Sequence, residues 1–251
     1  MSTTIDDHGG RVQAALLGAL AGEAAAGTAA GAADLLGVAE SVAATGGFDE
    51  ADMRNRGLEK PSRGGTAGLL LRAVPFGLIA PLDRAALRRS AHRCVVLAGA
   101  DEGTAVSAVA VAMLTADLLR FDLDTSLLRV HQSLLEDAPL ALLDSLRPDP
   151  GSLTRSPEDA EPAHALQAAI TALEAGELDA AVDAARGGPA VSVALAGALA
   201  GARDGSASLW RLDAASLPHG ERAMQIAHRF AARLDVAPAA QRLTSPADGH
   251  R

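Results

Sequence analysis

Three features of this 251-residue chain have the residue types and setting that ligand chemistry requires. Glu23 offers a carboxylate that can accept hydrogen bonds from a ligand. Arg72 lies in a long apolar run, and its guanidinium is suited to bidentate hydrogen bonding with a phosphate. The glycine-rich loop 64–68, with Gly65 and Thr66, can present backbone N–H groups to an anion at the start of the next helix.

Each of these features also has a purely structural interpretation. Glu23 can be a surface carboxylate on a helix, which is the usual setting of charged residues. Arg72 can hydrogen-bond helix carbonyl groups, and the glycine cluster can be a plain loop that leads into a helix. The residues alone leave these alternatives open.

The histidines and the cysteine predict neither a metal site nor a catalytic pair. His92 has the setting of a packing residue, and Cys94 lies two residues further on, on a different helix face, so we predict a buried, inert thiol. The other helix-borne or turn histidines lack a common metal-ligand spacing: His131, His164, His219 and His228. Asp101 and Glu102 form an acidic turn that could bind a cation, but we expect solvated charges there.

The composition favours a helical protein built from small side chains. Hydrophobic residues make up 49% of the chain but aromatic residues only 2%, with four Phe, one Trp and no Tyr. The interior must therefore consist of Ala, Leu and Val. Ala and Leu are strong helix formers, and small side chains let helices approach closely.

Charge and cysteine usage exclude several classes of protein. The formal net charge of −9 repels phosphate backbones and no basic stripe offsets it, so we expect no nucleic-acid partner. Cys94 is the only cysteine, which excludes a disulfide framework within the chain and favours a reducing compartment. The polar N-terminus is unlike a signal peptide, and charge or glycine interrupts the apolar runs, so we expect a cytoplasmic protein without a membrane span.

Apolar positions at helical spacing predict helices along most of the chain, and no segment alternates as a strand does. The predicted ranges are 11–26, 32–44, 50–56, 66–80, 83–97, 104–119, 163–175, 178–185, 191–202 and 216–234. Proline should break two segments, 66–80 at Pro75 and 123–146 near Pro139. Gly46 should end the second helix, and Asp49 should cap the third.

These ranges predict one domain of the all-α class, a single compact bundle of helices over residues 11–235. Residues 1–10 and 236–251 are expected to be disordered. The loop 147–162 is rich in Pro, Ser and acidic residues and is expected to be mobile, because it has little apolar surface to bury.

A segment near the C-terminus resembles a known family. Residues 187–193 read Gly-Gly-Pro-Ala-Val-Ser-Val and lead into a helix of small residues. This segment resembles the C-terminal signature of the ADP-ribosylglycohydrolase family, of the dinitrogenase-reductase-activating glycohydrolase type. In that signature, two glycines precede Asp-Thr-Asp-Thr and a small-residue helix.

Three further segments resemble the family in the same order. Residues 11–24 resemble its opening pattern of an arginine, a small-residue helix and Gly-Asp-Ala-Leu-Gly, and residues 39–49 resemble the end of its second helix. Residues 68–78 read Gly-Leu-Leu-Leu-Arg-Ala-Val-Pro-Phe-Gly-Leu and are similar to Gly-Asn-Gly-Ser-Leu-Met-Arg-x-Ala-Pro-x-Gly-Leu. The resemblance extends from about residue 11 to about residue 234 and implies an orthogonal bundle of helices.

The resemblance also implies a particular chemistry. Family members hold two Mg²⁺ ions and cleave the N- or O-glycosidic bond between ADP-ribose and its acceptor. A Thr-Asp-Asp motif at the start of the second helix and the C-terminal Asp-x-Asp-Thr supply the metal ligands. Mg²⁺ prefers oxygen ligands, and two such ions can clamp a ribose diol while polarising water.

This sequence lacks the acidic ligands that the resemblance leads us to expect. Residues 28–30 read Thr-Ala-Ala, and Pro189 and Val191 stand at the C-terminal aspartate positions, so that Ser192 alone keeps a ligand-type oxygen there. Hydroxyl groups cannot replace four carboxylates, so we expect no Mg²⁺ cofactor and assign no catalytic residue. The ligand-binding candidates are Glu23, Thr28, Gly65, Thr66, Arg72 and Ser192.

Three functions remain open at this point. The first is a pseudoenzyme of the ADP-ribosylglycohydrolase type whose residual cleft takes an ADP-ribose-like or other nucleotide ligand, or a protein partner. The second is an active enzyme on ADP-ribosyl or related glycosidic bonds that uses Glu23, Asp34 or His92 without metal. The third is a structural protein that assembles with its own copies, since the family fold has been reused as a lens crystallin.

Overall fold

The architecture is all-α, as the sequence predicts. A computed structural model of the chain describes residues 8–27, 31–79, 83–147, 161–209 and 212–243, and within these ranges it contains no strand. A 3₁₀ segment, Leu69–Ala73, joins the fourth helix to the fifth. The helices are α1 His8–Ala25, α2 Ala32–Thr45, α3 Glu50–Asn55, α4 Gly65–Gly68, α5 Val74–Ile79, α6 Arg84–Leu97, α7 Glu102–Leu118, α8 Leu123–Leu134, α9 Leu140–Ser145, α10 Glu161–Leu173, α11 Leu178–Ala185, α12 Ala190–Asp204, α13 Ser206–Leu209 and α14 Gly220–Leu243.

Short-range signals in the sequence fix where several helices begin and end. Four helices, α3, α6, α7 and α8, begin where an aspartate side chain accepts a hydrogen bond from a backbone N–H three residues on: Asp49, Asp83, Asp101 and Asp122. Gly46 ends α2 with a φ of 89°, a left-handed conformation that glycine adopts without strain. The predicted cap at Asp49 and stop at Gly46 are confirmed. Asp101 caps α7 instead of being only a solvated turn charge.

Helices α1 and α12 run antiparallel and pack backbone against backbone. Gly18 lies against Gly197, and a Cβ atom added to either residue would overlap the other's carbonyl oxygen. A Cβ atom at Gly22 would lie 2.7 Å from the Cα atom of Ala194. The two backbones touch because these positions have no side chain, as the four-residue spacing of Gly18 and Gly22 predicts for a tightly packed helix.

Helix α7 is enclosed by the rest of the domain. Every residue from 104 to 118 is buried. Helices α5, α6 and α8 and the 3₁₀ segment pack around it, and α10 and α12 also touch it. The side chains of α7 are mostly Ala, Val, Ser and Thr, so the helix is narrow and its neighbours approach from all sides.

The guanidinium of Arg11 ties the start of α1 to the ends of two other helices. Its Nη1 donates hydrogen bonds to the carbonyl oxygens of Leu118 at 3.2 Å, Ala202 at 3.0 Å and Arg203 at 2.8 Å. Leu118 is the last residue of α7, while Ala202 and Arg203 lie in the last turn of α12. The C-terminal ends of α7 and α12 therefore meet beside the first turn of α1.

Proline accounts for three helix boundaries. The predicted helix 66–80 consists of α4, the 3₁₀ segment and α5, with Pro75 in the first turn of α5, where its missing N–H costs no helical hydrogen bond. Pro139 directly precedes α9, which confirms the predicted break. The last helix begins at Gly220 instead of residue 216, because Pro218 disfavours a helical Leu217 and His219 has a φ of 63°.

The two terminal helices are longer than the sequence predicts. Helix α1 begins at His8, whose Nε2 is 2.9 Å from the carbonyl oxygen of Leu78, so residues 8–10 are helical instead of disordered. Helix α14 is held to α2 by Arg233, which donates to the carbonyl groups of Ala43 and Ala44, and it continues through residues 236–243. Residues 1–7 and 244–251, and 148–160 of the loop predicted to be mobile, lie outside the described ranges.

The length and hydropathy of the helices determine whether any of them could cross a membrane. None of those in the described ranges combines the length and the mean hydropathy that crossing a bilayer needs.

Candidate functional site

The ends of four elements meet in the region to which the resemblance points, here called the candidate site. Gly22, near the end of α1, lies against Ala194 near the start of α12. Glu23, the next residue, accepts hydrogen bonds from the backbone at the start of α2. The side chain of Leu71, from the 3₁₀ segment, closes against Gly31 at that same helix start. The fold therefore brings the starts of α2 and α12 together at the end of α1.

The carboxylate of Glu23 caps helix α2. Glu23 is 5% exposed, and its Oε1 accepts hydrogen bonds from the N–H groups of Gly31 and Ala32, both at 2.6 Å. The first N–H groups of a helix have no partner within the helix, and negative charge is favourable beside them. A Cβ atom at Gly31 would lie 2.8 Å from Glu23 Oε1, so a side chain there would push the carboxylate away from its present position.

The burial of Glu23 shows that it is not the surface carboxylate that one interpretation of the sequence described. The surface-carboxylate interpretation is wrong, because the side chain turns inward to reach α2. Burial raises the pKa of Glu23 above its ordinary value, the hydrogen bonds from Gly31 and Ala32 oppose that rise, and the nearby Asp34 carboxylate adds to it. A ligand contact by Glu23 stays a prediction.

Replacing Glu23 by glutamine is expected to change how stability depends on pH. The folded-state pKa of Glu23 is raised, so its contribution to the free energy of unfolding is fully present below its ordinary pKa of 4.5. That contribution is lost as pH rises through the folded-state pKa. Glu23→Gln cannot titrate, so its free energy of unfolding should rise relative to that of the wild type as pH increases above 4.5, the ordinary pKa of Glu23. Urea unfolding at a series of pH values measures the difference.

Asp101 supplies a control of opposite sign for that experiment. Asp101 forms hydrogen bonds with the side chain and the backbone of Thr104, and these bonds lower its pKa below the ordinary value of 3.8. The side-chain bond has the larger effect. The contribution of Asp101 is therefore present above that ordinary value and is lost as pH falls through the folded-state pKa, so Asp101→Asn should lose stability relative to the wild type as pH rises. Wild-type protein that gains stability over Glu23→Gln with rising pH would contradict the assignment.

Arg72 is buried and holds the loop before α4. The residue is 1% exposed; its Nη1 donates to the carbonyl oxygen of Leu58 at 2.6 Å, and its Nη2 donates to that of Lys60 at 3.0 Å. Nη2 also donates to Oδ2 of Asp34, in the first turn of α2, at 2.8 Å. The guanidinium thus serves the structural role that the sequence left open, with loop carbonyl groups as its partners. Phosphate binding by Arg72 stays a prediction without support from this geometry.

Gly65 and Thr66 are the first two residues of α4 and lie exposed beside the start of α12. Gly65 has a φ of 69°, and both residues are exposed. A Cβ atom at the preceding Gly64 would lie 3.7 Å from Cγ2 of Val191, which places the loop next to α12. Helix α4 has only four residues, so few aligned peptide dipoles stand behind its first N–H groups. The loop is accessible to a ligand, but its helix adds little attraction for an anion.

Ser192 is used within the first turn of α12. The residue is fully buried, and its Oγ donates to the carbonyl oxygen of Pro189 at 2.6 Å. A Cβ atom at Gly188 would lie 2.8 Å from that Oγ, so glycine gives the hydroxyl its space. Thr28, the other hydroxyl predicted to contact a ligand, lies outside the described residues.

The residues at the candidate site do not fit the pair of Mg²⁺ ions that the resemblance implies. Mg²⁺ demands near-octahedral oxygen ligands and is usually held by carboxylates. At the two helix starts, Oε1 of Glu23 is bound to backbone N–H groups, Asp34 is paired with Arg72, and Ser192 is bonded to Pro189. Within the ranges described, no group of three or more His, Cys, Asp and Glu side chains is arranged to hold a metal ion.

Cys94 has the buried setting that the sequence predicts, whereas His92 is not a packing residue, because its side chain is 38% exposed. Cys94 is 1% exposed, and burial raises the pKa of its thiol to about 12, so the thiol is protonated and unreactive at neutral pH. His92 lies on another face of α6, where its Nε2 is 3.3 Å from Oε2 of Glu102.

Sequence reasoning missed two features that the structure makes plain. One is the pairing of Arg72 with Asp34, which are 38 residues apart, so that no local pattern connects them. The other is a cavity beside α6 lined by Arg88, Arg89 and Arg93. Its signal was present in the run Arg-Arg-Ser-Ala-His-Arg over residues 88–93, but the position of that run relative to its neighbours needed the fold.

Comparison with known proteins defines the class of fold. The chain matches no protein-family model, and no curated protein matches it in sequence. A solved structure of an ADP-ribosylglycohydrolase-related protein complex superposes on it with a TM-score of 0.70 at 20% sequence identity, over 90% of this chain and 98% of that chain. The chain therefore has the all-α fold of an ADP-ribosylglycohydrolase-related protein, which confirms the predicted fold class.

Proposed function

We propose that this chain is an ADP-ribosylglycohydrolase-like protein that has lost Mg²⁺-dependent hydrolysis of ADP-ribosyl bonds. The observation that carries the proposal is the cap on α2: the buried carboxylate of Glu23 accepts hydrogen bonds from Gly31 and Ala32. A metal ion at this helix start would compete with those bonds for the Glu23 carboxylate. The Glu23 carboxylate therefore stabilises the start of α2.

The other oxygen groups of the candidate site support the same proposal. Asp34 is 18% exposed and paired with Arg72, and the hydroxyl of Ser192 is bonded within its own helix turn. Freeing Asp34 would leave the buried guanidinium of Arg72 without one of its hydrogen bonds, at a cost of about 1–3 kcal/mol. Pro189 and Val191 add no ligand oxygen from their side chains at the start of α12.

A binding role accompanies the loss of hydrolysis in this proposal. Gly65 and Thr66 are exposed beside the start of α12, so the Thr66 hydroxyl and the main chain of the loop are open to a ligand, while the N–H group of Gly65 donates to the carbonyl oxygen of Ser62 at 3.1 Å. These groups suit an ADP-ribose-like or other nucleotide ligand, and the same loop suits a protein partner. Binding by such a loop needs no metal ion.

Calorimetric titration with MgCl₂, and then with ADP-ribose in the presence and absence of Mg²⁺, tests this function. We expect no heat of Mg²⁺ binding, no effect of EDTA on the thermal midpoint, and no release of ADP-ribose from ADP-ribosylated arginine. A hydrolysis-competent ADP-ribosylglycohydrolase in the same assays is the positive control. Mg²⁺-dependent turnover by this chain would overturn the proposal and restore catalysis as its function.

A further inference from the structure

A cavity of about 370 Å³ lies between α6, α7 and the end of α8. Its apolar floor consists of Val106, Val109 and Leu134, which are all buried against the core. A volume of this order falls at the lower end of the range typical of small-molecule sites. None of the lining residues belongs to α2 or α12, so the cavity is separate from the candidate site.

The rim of this cavity carries more positive charge than its neighbours neutralise. Arg88 donates to Oδ2 of Asp137, so those two charges are paired. Arg89, in contrast, is exposed and has no hydrogen-bond or ion-pair partner among the side chains that the structure describes. His92 adds an imidazole, 3.3 Å from the exposed carboxylate of Glu102.

Arg93 is also only loosely neutralised. Its Nη2 lies 3.7 Å from Oε2 of Glu50, whose other oxygen accepts hydrogen bonds from Arg54 at 2.9 and 3.1 Å. The guanidinium carbon of Arg93 lies 4.6 Å from the centre of the Phe48 ring, a cation–π contact that holds the side chain in place without using its charge. Two guanidinium groups, those of Arg89 and Arg93, thus stand beside an apolar floor.

We infer that this cavity binds a small organic anion that carries one carboxylate or phosphate on an apolar body. The anionic group takes charge-assisted hydrogen bonds from Arg89 and Arg93, and the apolar body covers the parts of Val106 and Val109 that remain exposed at the floor. The floor discriminates against inorganic anions, which have nothing to bury. The chain as a whole carries a net charge of −9, so anions are attracted by this local site and not by the protein surface in general.

Calorimetric titration of the full-length chain with four probes tests the inference: octanoate, 1-octanol, AMP and inorganic phosphate. Octanoate or AMP should bind about tenfold more tightly than octanol and phosphate. Octanoate and AMP each join an anionic group to an organic part that can cover the cavity floor, whereas octanol lacks the charge and phosphate lacks the organic part. Tighter binding of octanoate identifies an acyl ligand, and tighter binding of AMP identifies a nucleotide. Octanol or phosphate binding as tightly as both of these, or no binding of any probe, would overturn the inference.

Arginine variants locate the binding within the protein. Arg89→Gln/Arg93→Gln should weaken binding of the better probe by about tenfold or more, and circular dichroism should show an unchanged fold because both side chains are exposed. Arg186→Gln is the matched control, since Arg186 is an equally exposed arginine beside α11 that pairs only with Asp183. Unchanged binding in the double variant, or equal weakening by Arg186→Gln, would refute the site.

Discussion

Arg72→Met is expected to lower the free energy of unfolding by about 3–5 kcal/mol, the usual cost of removing one partner from a buried ion pair. The substitution replaces the aliphatic stem of the arginine with an apolar chain of similar length but leaves Asp34 without its cation. The carbonyl oxygens of Leu58 and Lys60 lose their donor as well. Urea unfolding followed by circular dichroism measures the loss.

Two comparisons separate this effect from a general loss of charge. Arg54→Met removes an arginine that is 56% exposed and pairs with Glu50 along one helix, so it should cost no more than about 0.5 kcal/mol. Adding Asp34→Asn to Arg72→Met should cost less than the sum of the two single changes, because both remove the same interaction. If Arg72→Met were as mild as Arg54→Met, Arg72 would not hold the 58–60 loop.

Gly197→Ala is expected to destabilise the protein by about 3 kcal/mol, because overpacking forces the backbones of α1 and α12 apart. The new methyl group would overlap the carbonyl oxygen of Gly18, which is main chain and cannot rotate away. Alanine has a helix propensity about 1 kcal/mol more favourable than that of glycine. The measured loss of stability is therefore the steric cost reduced by about that amount. Thermal and urea unfolding give that net value.

Gly103→Ala is the control for this second prediction. Gly103 also lies in a helix, α7, but the nearest atom to an added Cβ is Oδ1 of Asp101 at 3.8 Å, an ordinary contact distance. The substitution should be neutral or stabilise the protein by up to about 1 kcal/mol through helix propensity. A Gly197→Ala variant that behaves like Gly103→Ala would show that α1 and α12 can separate without loss.

The features predicted correctly from the sequence are those fixed within a few residues. Asp49 and Gly46 bound their helices through atoms three or four positions away, and Pro139 interrupts a helix by its own ring. The all-α class follows from the same local periods. Gly18 and Gly22 predicted a tight contact, although the partner helix lies about 175 residues further along the chain and no local rule names it.

The candidate site was predicted less well because its hydrogen bonds cross gaps in the sequence. Glu23 bonds to N–H groups eight and nine residues away, across a segment whose path a pattern of residue types does not give. The apolar run around Arg72 agrees with its burial. It did not show whether the hydrogen-bond acceptor is a phosphate or a backbone carbonyl group, since a guanidinium can bond to either. The answer depends on the fold, which brings the carbonyl groups of Leu58 and Lys60 next to Arg72.

The position of Arg11 has an electrostatic consequence for the packing of α7 and α12. The C-terminal end of each helix carries about half a negative charge from its aligned peptide dipoles, and here two such ends lie side by side. They would repel one another, but the single positive charge of Arg11 reaches the last carbonyl groups of both. One cation thus balances two helix dipoles, and it does so from the start of a third helix, where a positive charge is otherwise unfavourable.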